Sequence, residues 1–219
     1  MSKNKLNTHS LLAKIIVVGD EKVGKSLMCG KYTERLTDDE VSSYVYQSTI
    51  GVDFLVKYIQ INNHSYKIHM WDMGGNPRFK SMVSAYFSGI NIALVMYDSN
   101  NRKSFEGVRA WVKRIKECPK KISTIILFGN ITGGNEREVN TIEGERLSRE
   151  LNIHFRECDI RNGSQLDSIL DSIVLDTGYL DKCDKIREKK LILADNVRSL
   201  LNNSDDDSTV YCGNICSIL

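Results

Sequence analysis

The chain has 219 residues, of which 41 % are hydrophobic and 26 % charged, with a formal charge of +2. That length suits one domain plus a tail, and it can bury a core without disulfide staples. The near-neutral balance gives no electrostatic footprint for nucleic acid, and no run of about 18 apolar residues is present to span a bilayer.

In chain order, Leu12–Val18 (LAKIIVV) is an apolar run broken only by Lys14 that predicts a buried strand, and Lys25–Leu36 follows with a helical pattern. Gly51–Ile61 and Tyr66–Trp71 alternate with a two-residue period, and Asn62-Asn63-His64 between them predicts a hairpin turn. Ile92–Tyr97 (IALVMY) is another buried strand. Ser104–Glu117 is a helix with Pro119 just beyond its end. Ile122–Phe128 predicts a strand, Thr141–Leu151 a helix with Thr141 as N-cap, Ile153–Arg156 a short strand and Gln165–Leu175 a last helix. Alternation of strand and helix predicts an α/β fold: a mostly parallel sheet with helices on both faces and one antiparallel edge strand.

Residues 1–11 read as a flexible start, 12–180 as the folded domain and 181–219 as a variable tail. The N-terminus has no apolar h-region, and Ser2 stands where myristoylation requires glycine. The tail carries six basic and seven acidic residues and includes Asn-Asn-Ser-Asp-Asp-Asp-Ser-Thr at 202–209, a composition expected to stay disordered. The six cysteines form no CxxC pair, so zinc is not expected and reduced cytosolic thiols are.

Gly19-Asp-Glu-Lys-Val-Gly24-Lys25-Ser26 fits GxxxxGK[ST] between a predicted strand and a predicted helix. Its glycines let backbone N–H groups wrap an anion at a helix N-terminus. Lys25 then serves the β- and γ-phosphates and Ser26 offers a hydroxyl to Mg²⁺. Glu21 and Lys22 are unusual here. Glu21 either repels and crowds the γ-phosphate side, with Lys22 neutralising it, or both side chains simply face water.

The chain resembles the Rab small GTPases over residues 12–176. The likeness is carried by the phosphate loop and by Ser48-Thr-Ile-Gly-Val-Asp-Phe54, Lys67-Ile-His-Met-Trp-Asp72, Arg78-Phe-Lys-Ser-Met82, Tyr86-Phe-Ser-Gly89 and Tyr97-Asp-Ser-Asn-Asn-Arg-Lys-Ser-Phe105. The resemblance implies a six-stranded Ras-like P-loop domain that binds GTP or GDP with Mg²⁺ and hydrolyses GTP. Mg²⁺ would be held by Ser26, Thr49 and Asp72. The nucleotide would be held by Gly19, Asp20, Glu21, Lys22, Val23, Gly24, Lys25, Ser26, Thr49, Gly75, Asn130, Thr132, Asp159, Ile160 and Arg161. Lys25, Gly75 and Asn76 would carry hydrolysis. Phe54, Trp71 and Tyr86 would form the effector face. Implied partners are effectors, an exchange factor, a GTPase-activating protein and a prenyl-binding escort. The expected form is a monomer on the cytoplasmic face of intracellular membranes, with a cytosolic pool.

Three departures from the family pattern bear on activity. The water-positioning glutamine is Asn76, one methylene or about 1.5 Å shorter, and Pro77 follows it. NKxD reads Asn130-Ile-Thr-Gly133, without the carboxylate that accepts two hydrogen bonds from guanine, though Asp159 stands nearby in Glu157-Cys-Asp-Ile-Arg161. The segment between Tyr32 and Ser48 is about five residues longer than usual, and Tyr44 is the candidate to stack on the base. Slow hydrolysis is expected; the alternative is a pseudo-GTPase adaptor that binds partners with weak nucleotide cycling. The chain ends Cys216-Ser-Ile-Leu219, a CaaX box for geranylgeranylation, with Cys212 as a second candidate lipid site.

Overall fold

In a computed structural model, the structure describes residues 11–61, 64–76, 86, 87, 89–119, 122–131 and 137–176. All lie in the first of the chain's two structural units, Met1–Tyr179. Thr132, Gly133, Pro77, Cys212, Cys216 and the tail lie outside the described residues.

The described elements run β1 (Leu11–Gly19), α1 (Lys25–Tyr32), α2 (Asp38–Ser42), β2 (Val52–Ile61), β3 (His64–Met73), β4 (Ile92–Asp98), α3 (Arg102–Lys116), β5 (Thr124–Asn130), α4 (Thr141–Leu151), β6 (His154–Cys158) and α5 (Gly163–Asp176). The strands form one six-stranded sheet in the order β2-β3-β1-β4-β5-β6. Only β2 and β3 pair antiparallel, with Phe54 opposite Trp71 and Ile61 opposite His64. The expected mostly parallel sheet with an antiparallel edge strand is what forms.

Strand alternation divides β1 between two layers. Ile16 and Val18 join Ala93, Val95 and Leu127 beneath Val108, Trp111 and Val112 of α3 and Leu147 of α4. Their neighbours Ile15 and Val17, also fully buried, point to the opposite face. There α1 packs on β3 and α5. Each aliphatic side chain taken from water contributes about 1.5–3 kcal/mol, which is why β1 and β4 tolerate no exposed face. The chain leaves β1 for one side of the sheet and later crosses to β4 on the other. The carboxyl end of β1 therefore opens into the crevice where α/β sheets take ligands.

Several boundaries differ from the sequence reading. α1 stops at Tyr32 rather than Leu36 because the Thr33 hydroxyl donates to Cys29 O at 2.7 Å. Glu34 also takes a positive φ of 60°, and Arg35 and Leu36 fold back to donate to Gly30 O. The N-cap of α4 is Asn140, not Thr141: its Oδ1 accepts from Glu143 N, and the Glu143 carboxylate accepts in return from Asn140 N. His64 opens β3 instead of closing the turn. α2 was not expected; Thr37 and Glu40 form a second capping box that starts it. Of the described cysteines, Cys29 and Cys158 are buried, and burial pushes the Cys158 thiol up to about 12. Thiols with so small a thiolate fraction act as apolar core groups.

Candidate functional site

The phosphate loop begins where β1 ends and is fixed from below. Gly24 has φ 95°, and a Cβ there would come within 2.7 Å of Ile160 Cδ1 and 2.8 Å of Asn130 Nδ2. Only glycine suits that backbone and that space. Asn130 donates from Nδ2 to Val23 O at 3.2 Å, bracing the loop from the end of β5. Its Oδ1 is buried with no hydrogen-bond partner among the described residues. Asp20 turns away from the loop's concavity: its Oδ1 accepts from Trp111 Nε1 of α3 at 2.9 Å. Asp20 thereby anchors the loop, while its main-chain carbonyl accepts from Lys25 Nζ at 2.6 Å.

Lys25 is 6 % exposed. Burial pulls its pKa below the ordinary lysine value, against the pull of the Asp72 and Asp20 carboxylates. A buried ammonium whose partner set is one carbonyl and distant carboxylates is a strong site for an anion.

Three oxygens meet beside it. Ser26 Oγ donates to Asp72 Oδ2 at 2.6 Å and lies 2.8 Å from Thr49 Oγ1, which is 3.3 Å from the same carboxylate oxygen. Asp72 is 2 % exposed, and its Oδ1 has no hydrogen-bond partner among the described residues. Burial raises its pKa, opposed by the Ser26 hydroxyl and the Lys25 charge. A buried carboxylate with an unused oxygen and two hydroxyls at contact distance is a hard-oxygen set of the kind Mg²⁺ takes alongside water and phosphate. Among the described residues, no cluster of three His, Cys, Asp or Glu offers a competing metal site. The residues present fit both the ion and a polyphosphate.

A cavity of about 300 Å³ joins these groups. Lys22, Gly24, Lys25, Ser26, Thr49, Gly75, Asn130, Ile160 and Arg161 line it, together with Val41, Tyr44 and Tyr46. Nine of the expected ligand residues are thus brought to one space. The long segment before Ser48 supplies part of its wall through Val41 of α2 and the rings of Tyr44 and Tyr46. Sequence reasoning named Tyr44 and missed Val41 and Tyr46; the Thr37-x-x-Glu40 capping box was the available signal for α2. Asp159 does not line the cavity. Its carboxylate accepts from Arg161 N at 2.9 Å and faces Arg161 Nε at 3.4 Å.

Gly75 packs directly on the phosphate loop, where a Cβ would lie 2.6 Å from Glu21 N and from Asp20 C. The next residue, Asn76, donates from Nδ2 to Glu21 Oε1 at 3.1 Å. Glu21 is half-buried and hydrogen-bonded to Asn76, whereas Lys22 is exposed, with its ammonium 5.6 Å from the Tyr46 ring centroid.

Of the three aromatics, Phe54 on β2 is 45 % and Tyr86 37 % exposed. Trp71 is partly buried against the core, and its ring meets that of Phe54 with centroids 4.3 Å apart and planes tilted by 40°. Ile50, four residues before Phe54 in the chain, is 85 % exposed. Among the described residues, no helix is long and apolar enough to cross a membrane.

Residues 14–177 match the model of the Ras family. Ras-related protein Rab-13 of Rattus norvegicus is 33 % identical over 166 residues, covering 75 % of this chain and 79 % of that protein. Ras-related protein SEC4 of Saccharomyces cerevisiae is 30 % identical over 162 residues, covering 74 % and 73 %. GTP-binding protein ypt2 of Schizosaccharomyces pombe is 27 % identical over 206 residues, covering 93 % and 96 %. The matched span begins in β1, ends just after α5 and encloses the phosphate loop, the Ser26–Thr49–Asp72 cluster and the three aromatics, so the chain belongs to the Ras family and, within it, to the Rab-type small GTPases.

Proposed function

We propose that this chain binds GTP and GDP with Mg²⁺, hydrolyses GTP slowly and recruits partners through its aromatic face. The observation that carries the reading is the convergence of Ser26, Thr49 and Asp72 next to the buried Lys25 ammonium. Bound Mg²⁺ would supply charge neutralisation on the phosphates, held by Ser26, Thr49 and Asp72. Lys25 would hold the β- and γ-phosphates, with N–H groups of the loop around Gly24 and at Gly75 as further donors. Val41, Tyr44 and Ile160 would enclose the nucleoside. With no carboxylate at Gly133 and Asp159 turned to Arg161, guanine is held with fewer charged hydrogen bonds than is usual in the family, which weakens discrimination against other bases.

Asn76 would be the water-positioning amide. Its short side chain and its bond to Glu21 both work against that task, which is the basis for slow hydrolysis. The same bond favours a second reading, an adaptor that presents Phe54, Trp71 and Tyr86 with little nucleotide cycling. The expected setting is the cytoplasmic face of intracellular membranes, reached by a prenyl group on Cys216. Because one lipid chain anchors only marginally, Cys212 or an escort protein would assist.

Competition binding separates these readings. Purified protein stripped of ligand is titrated with fluorescent GTP in Mg²⁺, then displaced with GTP, GDP or ATP. The expected outcome is saturable displacement by GTP and GDP with a reduced margin over ATP. No binding of any nucleotide would leave only the adaptor.

A further inference from the structure

The phosphate loop carries its own anion toward both segments that respond to nucleotide. Glu21 Oε1 accepts from Asn76 Nδ2 at 3.1 Å and lies 3.5 Å from Ser48 Oγ, the outer limit of a hydrogen bond. Asn76 directly follows Gly75, and Ser48 directly precedes Thr49. Those two neighbours are the residues that would meet a γ-phosphate. Lys22 adds a third tie: held at a positive φ of 64°, it brings its ammonium near the ring of Tyr46, two residues before Ser48. At Gly75 the backbone is already seated on Glu21, with no room for a Cβ. A carboxylate that takes hydrogen bonds from both segments pulls them to the loop by the same electrostatics that a phosphoryl oxygen uses.

We propose that Glu21 is a positioning residue, a built-in carboxylate clasp that holds residues 44–50 and 74–76 against the phosphate loop. The closed arrangement of those segments then depends less on a γ-phosphate than it would without Glu21. The inference deepens the reading of the cavity as a nucleotide site and rests on it. It also accounts for the two loop side chains that a phosphate site alone does not require. In an ordinary switch the segments are released when the γ-phosphate is lost; here the loop retains an anion of its own.

The test is hydrogen exchange on the full chain, as wild type, Glu21→Ala and Glu21→Gln. Each is measured free, with GDP and Mg²⁺, and with a non-hydrolysable GTP analogue and Mg²⁺. Peptides spanning 44–50 and 72–76 report the clasp, and peptides from β1 and β4 report the fold. In wild type the expected difference between the GDP and analogue states is about threefold or less. Glu21→Ala should accelerate exchange in both reporter segments about tenfold in the free and GDP forms, and much less with the analogue. Glu21→Gln, which keeps an acceptor oxygen but loses the charge, should fall between them.

Unchanged exchange in Glu21→Ala would overturn the proposal. So would equal acceleration in every nucleotide state. If Glu21→Ala also accelerates β1 and β4, Glu21→Gln decides, and its failure to affect the reporter segments selectively overturns the clasp. If neither nucleotide binds, the nucleotide reading fails, but comparison of the free wild-type and variant proteins still decides whether the clasp exists.

Discussion

Lys25→Ala lowers GTP affinity by about two to four orders of magnitude. Lys25 is nearly sealed from water, and among the described residues its ammonium has one hydrogen bond, to Asp20 O. Its charge is expected to serve two phosphates. Each charged hydrogen bond lost costs about 1.5–3 kcal/mol, and every 1.4 kcal/mol is about tenfold in affinity. Equilibrium titration with fluorescent GTP in Mg²⁺ measures the effect. A loss below about fivefold would mean that the phosphates do not lie where the loop geometry puts them.

Asn76→Gln raises the single-turnover rate of GTP hydrolysis, by as much as about a hundredfold. The substitution restores about 1.5 Å of reach, and a misplacement near 1 Å is worth about that factor in rate. The longer side chain must also leave the hydrogen bond that Asn76 makes to Glu21. The double variant Glu21→Ala, Asn76→Gln should therefore gain at least as much as Asn76→Gln alone. Phosphate release from preloaded protein is the measurement. A rate within twofold of wild type in both variants would show that residue 76 does not position the water.

Much of this architecture was legible before any coordinates. β1 and β4 are largely buried on both faces, so their sequences are predominantly apolar, interrupted in β1 by Lys14, and β2 and β3 alternate because one face is partly open. The phosphate loop was legible because its requirements are local: two glycines, a lysine and a hydroxyl at fixed spacing. The meeting of Thr49 and Asp72 with Ser26 is a tertiary fact, anticipated only through resemblance and now seen as hydrogen bonds. α2 escaped because five residues show no helical period, and its signal was one capping box. The orientation of Glu21 could not be read at all. Spacing does not say whether a loop carboxylate faces water, an amide 55 positions away or a ligand.

The phosphate and Mg²⁺ end of the site is proposed to bind nucleotide although the base end has lost a carboxylate. Chromatography of the nucleotide released when freshly purified protein is denatured tests it most directly. The predicted result is guanine nucleotide close to one per chain, with the bound fraction falling when Mg²⁺ is chelated during purification. Protein that carries no nucleotide in Mg²⁺, or carries adenine nucleotide in its place, would contradict the account.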